Sequence, residues 1–356
     1  MKKRFISLFF CFSVLTSIII FKPNNTVKAQ SGSAEIVIEL NTNRILKEHN
    51  IHKKMYMASL TKIATAIVII ENCNINDSVL VGKETVGVEG SSIYLEEGER
   101  LTVKELLYGL MLRSGNDCAE TLAVFCSKSI DKFATLMNNF AKKIGANNTN
   151  FVNPHGLHND NHYTTAYDLA LISSYAMKND VFREIVGTKT VKISHTNRDF
   201  DRVLVNKNKM LSGFDGANGI KTGYTKKAGR CLVSSAKRGD LELVSVVLNC
   251  GPMFERSKEL LNDCFNKYNN YKIVESDFII DFIKVNGKDE EVGISINKDI
   301  ILPLTELEYQ NLKIEYDYPK TVNSPVKNNQ EIGKIAIYTQ NNLIFEEKIY
   351  TINSVD

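Results

Sequence analysis

The sequence lacks several features that mark large classes of proteins. Its 356 residues include no tryptophan and no block of basic residues, which argues against a nucleic-acid binder, because such proteins gain affinity by neutralising phosphates. There is no CxxC pair and no HExxH motif, so the usual signatures of zinc sites are missing. No low-complexity tract and no internal repeat occur. Beyond Phe21, no apolar run approaches the ~18 residues that a membrane-spanning helix needs.

What remains is the composition of a globular protein. Hydrophobic residues make up 43% of the chain and charged residues 24%, which is enough to bury a core, and the length suits roughly two domains. The formal net charge of +3 is unevenly distributed, because the first 29 residues hold five basic residues and no acidic one. The rest of the chain is therefore slightly acidic.

The N-terminus explains this asymmetry and predicts export. Lys2-Lys3-Arg4 is a positively charged start, residues 5–21 form an apolar run, and Val27-Lys28-Ala29 supplies small residues for cleavage. This layout is typical of a secretory signal peptide, which we assign to residues 1–29. The alternative is an uncleaved membrane anchor, and only then do we expect membrane contact. In both cases the body of the protein lies outside the cytoplasmic membrane, on the cell-wall side, secreted or membrane-associated.

The cysteines beyond this segment leave two possibilities open. An even number of cysteines in an exported protein permits disulfides. Most of them lie in apolar stretches, however, so buried free thiols are at least as well supported. The residues are Cys73, Cys118, Cys126, Cys231, Cys250 and Cys264. Their spacing matches no metal-binding pattern.

Apolar periodicity divides the body into two regions. In residues 33–270, period-two alternation predicts a strand hairpin near the start, and a second hairpin with a closing helix follows near the end. Helices are predicted between the hairpins, and a capping box of Thr102 and Glu105 begins one of them. The predicted helices cover residues 59–71, 102–112, 117–126, 130–144, 164–177 and 253–268. Residues 273–352 alternate in short segments between turn residues, which predicts a small β-rich domain.

Three short motifs stand in order along the first region. Ser59-Leu60-Thr61-Lys62 (SxxK) opens an apolar helix, Ser114-Gly115-Asn116 (SxN) follows a helix, and Lys221-Thr222-Gly223 (KTG) enters the strands. SxxK recurs four more times, for example from Ser129 to Lys132, so that motif alone is weak. The informative signal is the occurrence of all three motifs in this order, at the start of a helix, after a helix and at the start of the strands.

The residue types suit a serine nucleophile that is activated by lysine. Residues three apart share a helix face, so Lys62 can reach the Ser59 hydroxyl. A serine is a weak nucleophile until a base takes its proton, and a lysine amine is a base only when it is neutral. Burial beside Ile63 and Ala66, together with a second cation at Lys221, is expected to lower the pKa of Lys62. The ordinary alternatives are that Ser59 only caps a helix and that Lys62 is exposed to solvent.

Longer segments around the motifs resemble a known family. Residues 57–62 (MASLTK), 112–117 (LRSGND) and 219–225 (GIKTGYT) are similar to the motif segments of low-molecular-weight penicillin-binding proteins, the serine-type D-alanyl-D-alanine carboxypeptidases. Residues 153–157 (NPHGL) and 162–168 (HYTTAYD) also resemble segments of that family. The resemblance implies an α/β (α+β) fold of the β-lactamase/transpeptidase type.

This implied fold has a central antiparallel sheet and a helical subdomain, followed by a small all-β domain. We therefore expect a catalytic domain over residues 33–270 and a C-terminal β-rich domain over residues 273–352. The implied reaction removes the terminal D-alanine from peptidoglycan stem peptides that end in D-Ala-D-Ala. β-Lactams are the implied covalent inhibitors, and neither a cofactor nor a metal is implied.

The resemblance also implies catalytic roles. Ser59 attacks the carbonyl between the two D-alanines and forms an acyl-enzyme, while Lys62 accepts its proton. Ser114 and Asn116 line the opposite wall, where Ser114 relays a proton to the leaving amine and Asn116 binds the substrate amide and Lys62.

Four further residues are implied in substrate binding. Lys221 and Thr222 suit the terminal carboxylate, and Gly223 lets the strand approach the substrate because it has no Cβ. The backbone N–H groups of Ser59 and Tyr224 form the implied oxyanion hole. Some relatives carry histidine where Tyr224 stands, so side-chain contacts at that position stay open.

Two related functions compete with this interpretation. A class A β-lactamase needs a deacylating glutamate between the second and third motifs, and that interval holds only Glu120 and Glu184, neither in a suitable loop. A non-catalytic β-lactam sensor or wall-binding protein would keep an acylatable Ser59 without turnover.

A metal site is a more distant alternative. His155, His158 and His162 cluster in the sequence, and the last two are four residues apart. The intervening Asn159-Asp160-Asn161 favours a turn over the helix that such ligands need. We therefore expect no metal centre here.

Overall fold

A computed structural model describes residues 32–276 and 278–356. The predicted signal peptide over residues 1–29 lies outside the described residues. In the described residues the helices are α1 (Thr61–Asn72), α2 (Val103–Tyr108), α3 (Asn116–Ser127), α4 (Ile130–Lys143), α5 (Ala166–Met177), α6 (Asp180–Gly187), α7 (Met210–Gly213), α8 (Met253–Lys267) and α9 (Glu306–Gln310). Short 3₁₀ turns cover Ala58–Leu60 and Lys83–Thr85, and a π-helical turn covers Gly109–Arg113.

The first region also contains strands. They are β1 (Ala34–Glu39), β2 (Ile45–His49), β3 (Ser78–Leu80), β4 (Arg100–Thr102), β5 (Thr190–Ile193), β6 (Arg202–Val205), β7 (Ala217–Thr225), β8 (Gly229–Arg238) and β9 (Leu241–Leu248). The strands of the second region are β10 (Asn269–Val274), β11 (Asp281–Val285), β12 (Glu291–Ser295), β13 (Ile300–Leu304), β14 (Leu312–Asp317), β15 (Thr321–Val322), β16 (Glu331–Thr339) and β17 (Asn342–Thr351).

A five-stranded antiparallel sheet of order β2-β1-β9-β8-β7 forms the centre of the first region. Successive side chains of a strand point to opposite faces, and here both faces are covered. Ile36 and Ile38 of β1 pack with the helical subdomain, whereas Val37 packs against α8. The sheet is therefore covered by α8, with Met210 of α7, on one face and by the helical subdomain on the other. Strands β2 and β7 are its edges.

Helix α1 runs through the middle of the helical subdomain. Every residue from Thr61 to Ile69 is buried, which fits a sequence that is apolar almost all around the helix. The first turn of α1 follows the 3₁₀ turn that holds Ser59, so this serine sits where a buried helix reaches the end of the sheet.

The second region is all-β apart from α9. A six-stranded sheet of order β14-β16-β17-β12-β11-β15 packs with the β10-β13 ribbon around one core that includes Leu302 and Ile337. Arg44 joins the two regions, because it forms an ion pair with Glu308 and donates a hydrogen bond to the carbonyl of Pro303.

Most of the predicted elements are confirmed. The capping box of Thr102 and Glu105 is present at the start of α2, and residues 158–162 form no helix. Helix α6 (Asp180–Gly187), which buries an apolar face that includes Phe182, was not predicted, and the strands that follow it begin with β5 at Thr190. None of the helices in the described part of the chain has the length and apolar character to cross a bilayer.

The structure shows the state of the cysteines, which the sequence left open. All six that follow the predicted signal peptide are free thiols in the structure, and three of them are buried. The buried ones are Cys118, Cys231 and Cys264.

Candidate active site

Ser59 lies in the 3₁₀ turn of Ala58–Leu60, immediately before α1. Ala58 has a φ of 48°, a left-handed conformation that is costly for a residue with a Cβ. The chain turns sharply there and directs Ser59 towards Lys62, whose Nζ lies 3.1 Å from the Ser59 Oγ. The predicted pairing across one helical turn is therefore present.

Lys62 is completely buried, with an exposed fraction of 0%. Its Nζ also donates hydrogen bonds to the Oδ1 of Asn116 and to the carbonyl oxygen of His155, each at 2.7 Å. Burial lowers the pKa of Lys62 well below its usual value, and the positive charge of Lys221 lowers it further. This environment favours the neutral amine, the form that can act as a base.

The SxN residues stand at the junction between two helices. Ser114 follows the π-helical turn, is buried and has a φ of 64°, while Asn116 is the first residue of α3. The Nδ2 of Asn116 donates to the carbonyl of Glu89, and its backbone N–H donates to the carbonyl of Ser91 at 2.7 Å. These bonds fix the amide orientation, so the Oδ1 of Asn116 faces Lys62.

The KTG residues lie on the edge strand β7. Lys221 is buried, its Nζ donates to the carbonyl of Thr222 at 3.0 Å, and burial together with nearby Lys207 lowers the pKa of Lys221 to about 7. A Cβ on Gly223 would lie 3.1 Å from the carbonyl oxygen of Met57. Strand β7 therefore packs directly on the Ser59 turn, and a side chain at residue 223 would crowd the turn and force its neighbours to shift.

The predicted residues are thus brought together to different degrees. Direct hydrogen bonds join Ser59, Lys62 and Asn116, whereas Lys221 acts on Lys62 through its charge. The side chain of Tyr224, which follows Gly223 on β7, is 65% exposed to solvent.

Other residues shape the site although the sequence predicted no role for them. The carboxylate of Asp117 accepts hydrogen bonds from the backbone N–H groups of Ile93 and Leu95, each at 3.1 Å. It thereby holds the loop that carries Ser91 against α3. Its position beside Asn116, in the first turn of a helix, was the available signal, because an acidic residue there either stabilises the helix or binds nearby N–H groups.

The histidines that cluster in the sequence have separate partners, and His158 lies 3.5 Å from a carboxylate oxygen of Asp160. The Nε2 of His155 contacts a carboxylate oxygen of Glu120 at 3.1 Å, and His162 bonds to Thr61 and to the backbone of Val152. Across residues 32–276 and 278–356, no group of three or more His, Cys, Asp or Glu side chains is arranged to hold a metal ion.

Comparisons with known proteins identify relatives of this chain. A profile of the D-alanyl-D-alanine carboxypeptidase family, peptidase family S11, matches residues 21–251. A profile of the C-terminal domain of penicillin-binding protein 5 matches residues 268–356.

Individual relatives extend over nearly the whole chain. D-alanyl-D-alanine carboxypeptidase DacF of Bacillus subtilis is 30% identical over 331 residues, which cover 90% of this chain and 85% of that protein. DacC of Escherichia coli is 30% identical over 358 residues, covering 94% and 88%. The crystal structure of penicillin-binding protein 5 from Haemophilus influenzae superposes with a TM-score of 0.79 at 26% identity, covering 92% of this chain and 97% of that one. The chain therefore belongs to the D-alanyl-D-alanine carboxypeptidase family of serine hydrolases, as its motifs predicted.

Proposed function

We propose that Ser59 is the nucleophile with which this D-alanyl-D-alanine carboxypeptidase opens the peptide bond between two D-alanines, and that Lys62 is its general base. The observation that carries the proposal is the set of three partners around the Lys62 Nζ. Two of them, the Oδ1 of Asn116 and the carbonyl of His155, only accept hydrogen bonds. The third is the Ser59 hydroxyl, which can also donate.

The protonation state of Lys62 decides the direction of that third bond. An ammonium group has three N–H donors and no acceptor, whereas a neutral amine has two donors and one lone pair. The two carbonyl oxygens at 2.7 Å take both donors, which leaves the lone pair for the proton of Ser59. The lowered pKa of Lys62 supports this neutral form. Ser59 is then ready to lose its proton as it attacks.

Proton transfer accounts for the rest of acylation. As the Ser59 Oγ bonds to the carbonyl carbon, its proton passes to Lys62, and the carbonyl oxygen becomes an oxyanion. Collapse of this intermediate breaks the C–N bond, and Ser114 relays a proton to the departing amine of D-alanine. The product is an acyl-enzyme on Ser59, which water hydrolyses. A β-lactam acylates the same hydroxyl by opening its ring, so no leaving group departs.

Substrate binding is assigned to the edge of β7. An edge strand has unpaired backbone groups that an extended peptide can bond. The buried cation of Lys221 and the hydroxyl of Thr222 suit the terminal carboxylate, and the backbone N–H groups of Ser59 and Tyr224 are assigned to the oxyanion. The close packing of Gly223 on Met57 and Leu60 supports this assignment, because it holds the two N–H donors on adjacent segments.

We also propose that the enzyme works on peptidoglycan outside the cytoplasmic membrane. The basic and apolar segments of residues 1–29, with Ala29 at the cleavage position, support export as a signal peptide. The substrates are then stem peptides that end in D-Ala-D-Ala, and removal of their last residue modifies the cell wall.

The domain division is part of the same proposal. We assign catalysis to residues 33–270 and a spacer or interaction role to the β-rich residues 273–352. Separate hydrophobic cores support this division, since the cluster around Leu302 and Ile337 shares no residue with the clusters of the first region.

Release of D-alanine tests the proposal. Wild-type protein incubated with a pentapeptide ending in D-Ala-D-Ala should release one D-alanine per peptide, and S59A should release none. An S129A variant is the matched control, because Ser129 belongs to another SxxK sequence and only caps α4. Acylation by penicillin without D-alanine release would indicate a sensor, and rapid nitrocefin hydrolysis would indicate a β-lactamase.

A further inference from the structure

A chain of hydrogen bonds runs from a buried histidine to the turn that carries Ser59. The exposed fraction of His162 is 2%, and its Nε2 lies 2.7 Å from the Oγ1 of Thr61. The Thr61 Oγ1 donates to the carbonyl oxygen of Ala58 at 2.8 Å. None of these three residues touches the substrate in the proposed mechanism, yet the last of them directly precedes Ser59.

The other ring nitrogen of His162 fixes the direction of the chain. The backbone N–H of Val152 donates to the Nδ1 of His162 at 3.1 Å, so Nδ1 carries no proton. A neutral imidazole then has its proton on Nε2, and it donates that proton to the Thr61 hydroxyl. The hydroxyl must in turn direct its own proton to the Ala58 carbonyl. Burial lowers the pKa of His162 to about 3, so this tautomer persists throughout the working pH range.

The Ala58 carbonyl matters because it shares a peptide unit with the Ser59 N–H. A trans peptide unit is planar, and its C=O and N–H point in opposite directions. Whatever holds the Ala58 oxygen therefore also sets the direction of the Ser59 N–H, which the proposed function assigns to the oxyanion hole. The left-handed φ of 48° at Ala58 makes external support necessary.

The backbone of Gly156 also lies against this peptide unit. Gly156 has a φ of +88°, and a Cβ built on it would lie 1.9 Å from the Ala58 oxygen and 2.8 Å from the Thr61 Oγ1. The Ala58 carbonyl is thus held by the Thr61 hydroxyl and packed against the backbone of Gly156. A peptide unit confined in this way loses little free energy to reorganisation when the oxyanion forms.

We infer that His162 and Thr61 are positioning residues of the oxyanion hole, because they orient the Ala58 carbonyl and with it the Ser59 N–H. The inference rests on the proposed function, in which that N–H binds the oxyanion. It assigns the buried histidine a role in the transition state of acylation, without contact to substrate and without proton transfer to it.

Paired substitutions at Thr61 test the inference, with H162L and H162Q as a second pair. T61V removes the hydroxyl and keeps the side-chain volume, whereas T61S keeps the hydroxyl. H162L removes the donor, and H162Q places an amide N–H near the position of Nε2. The measurement is the reaction of a fluorescent penicillin, resolved by stopped flow into the dissociation constant of the encounter complex and the first-order acylation rate constant.

We expect T61V to acylate about 10-fold to 100-fold more slowly with an unchanged dissociation constant, since loss of a whole oxyanion donor costs about 10²–10³. T61S and H162Q should recover most of the rate. The double variant H162L/T61V should be no slower than the slower single variant, because both changes break the same chain. T121V is the matched control, since it removes another buried hydroxyl, which bonds to Thr85 at 2.8 Å, and should acylate normally.

The possible outcomes separate this inference from the proposed function. A T61V variant that acylates at the wild-type rate, or effects of H162L and T61V that multiply, would overturn the positioning role. If H162L fails to fold, the comparison of T61V with T61S decides the matter alone. Failure of the wild-type protein to react at Ser59 would overturn the proposed function instead.

Discussion

The Nζ of Lys62 lies 3.1 Å from the Oγ of Ser59 and is fully buried. A lysine in water is charged at neutral pH and cannot accept a proton. The folded chain changes this by removing Lys62 from solvent and by placing Lys221 nearby. The short contact and the lowered pKa support the proposed role of Lys62 as a base for Ser59, one helical turn away.

Substitution of Lys62 by arginine should abolish this base. Arginine keeps a positive charge and stays protonated in proteins, so K62R should slow acylation by a fluorescent penicillin about 10²-fold to 10⁴-fold. K132R is the matched control, because Lys132 occupies the same position in the SxxK sequence that begins at Ser129. A K62R protein that acylates as fast as K132R would show that Lys62 is not the base.

The alkaline limb of the pH profile should report Lys221. Its pKa is lowered to about 7, so the free enzyme loses this cation as the pH rises through that value. A substrate carboxylate binds the charged form, and kcat/KM should therefore fall above about pH 7. Bound carboxylate stabilises the ammonium, so kcat should hold to higher pH than kcat/KM does. A kcat/KM that stays level up to pH 9 would contradict the assigned role.

Replacement of Asn116 by aspartate should impair the base through charge. A carboxylate 2.7 Å from the Lys62 Nζ would stabilise the ammonium and raise the pKa of Lys62. The Nδ2 donor to Glu89 would also be lost. We expect N116D to acylate slowly at neutral pH and to regain rate as the pH rises, whereas N116A should show no such recovery. Parallel pH profiles of the two variants provide the measurement, and identical profiles would exclude the electrostatic explanation.

Two glycines allow a controlled test of crowding at the Ser59 turn. Gly156 and Gly145 have φ values of +88° and +84°, but a Cβ meets the Ala58 carbonyl only at Gly156 and meets nothing within 4 Å at Gly145. G145A should therefore cost only backbone strain, about 1–2 kcal/mol of unfolding free energy. G156A should cost more and should also slow acylation. Urea unfolding and penicillin acylation of both variants check this. If G156A and G145A lose the same unfolding free energy and acylate at the same rate, then Gly156 does not hold the Ala58 carbonyl in place.

Much of the site was predictable because its signals are local. Ser59 and Lys62 are neighbours in sequence, and the apolar residues around them predict burial and a lowered pKa. The KTG strand could be placed because period-two alternation and turn residues define β8 and β9 beside it. These patterns depend on short-range geometry, which sequence reports directly.

The rest depends on contacts between distant segments. His162 reaches Thr61 across 101 positions of the chain. Its segment resembles the family, but no short-range pattern links its imidazole to Thr61. Gly156 lies in a family-like segment, but only the structure shows its backbone packed against the Ala58 carbonyl. Helix α6 was missed for a different reason, since Thr188 and Thr190 just beyond it favour strand and obscured where the helical pattern stops.

The central claim is that a single hydroxyl, that of Ser59, carries the acyl group. Mass spectrometry of the protein after reaction with benzylpenicillin, followed by peptide mapping, tests it most directly. We predict one adduct per chain with the mass of the intact antibiotic, located on the peptide that contains residues 59–62, and absent from S59A. An unmodified protein, or an adduct on any other residue, would contradict the account.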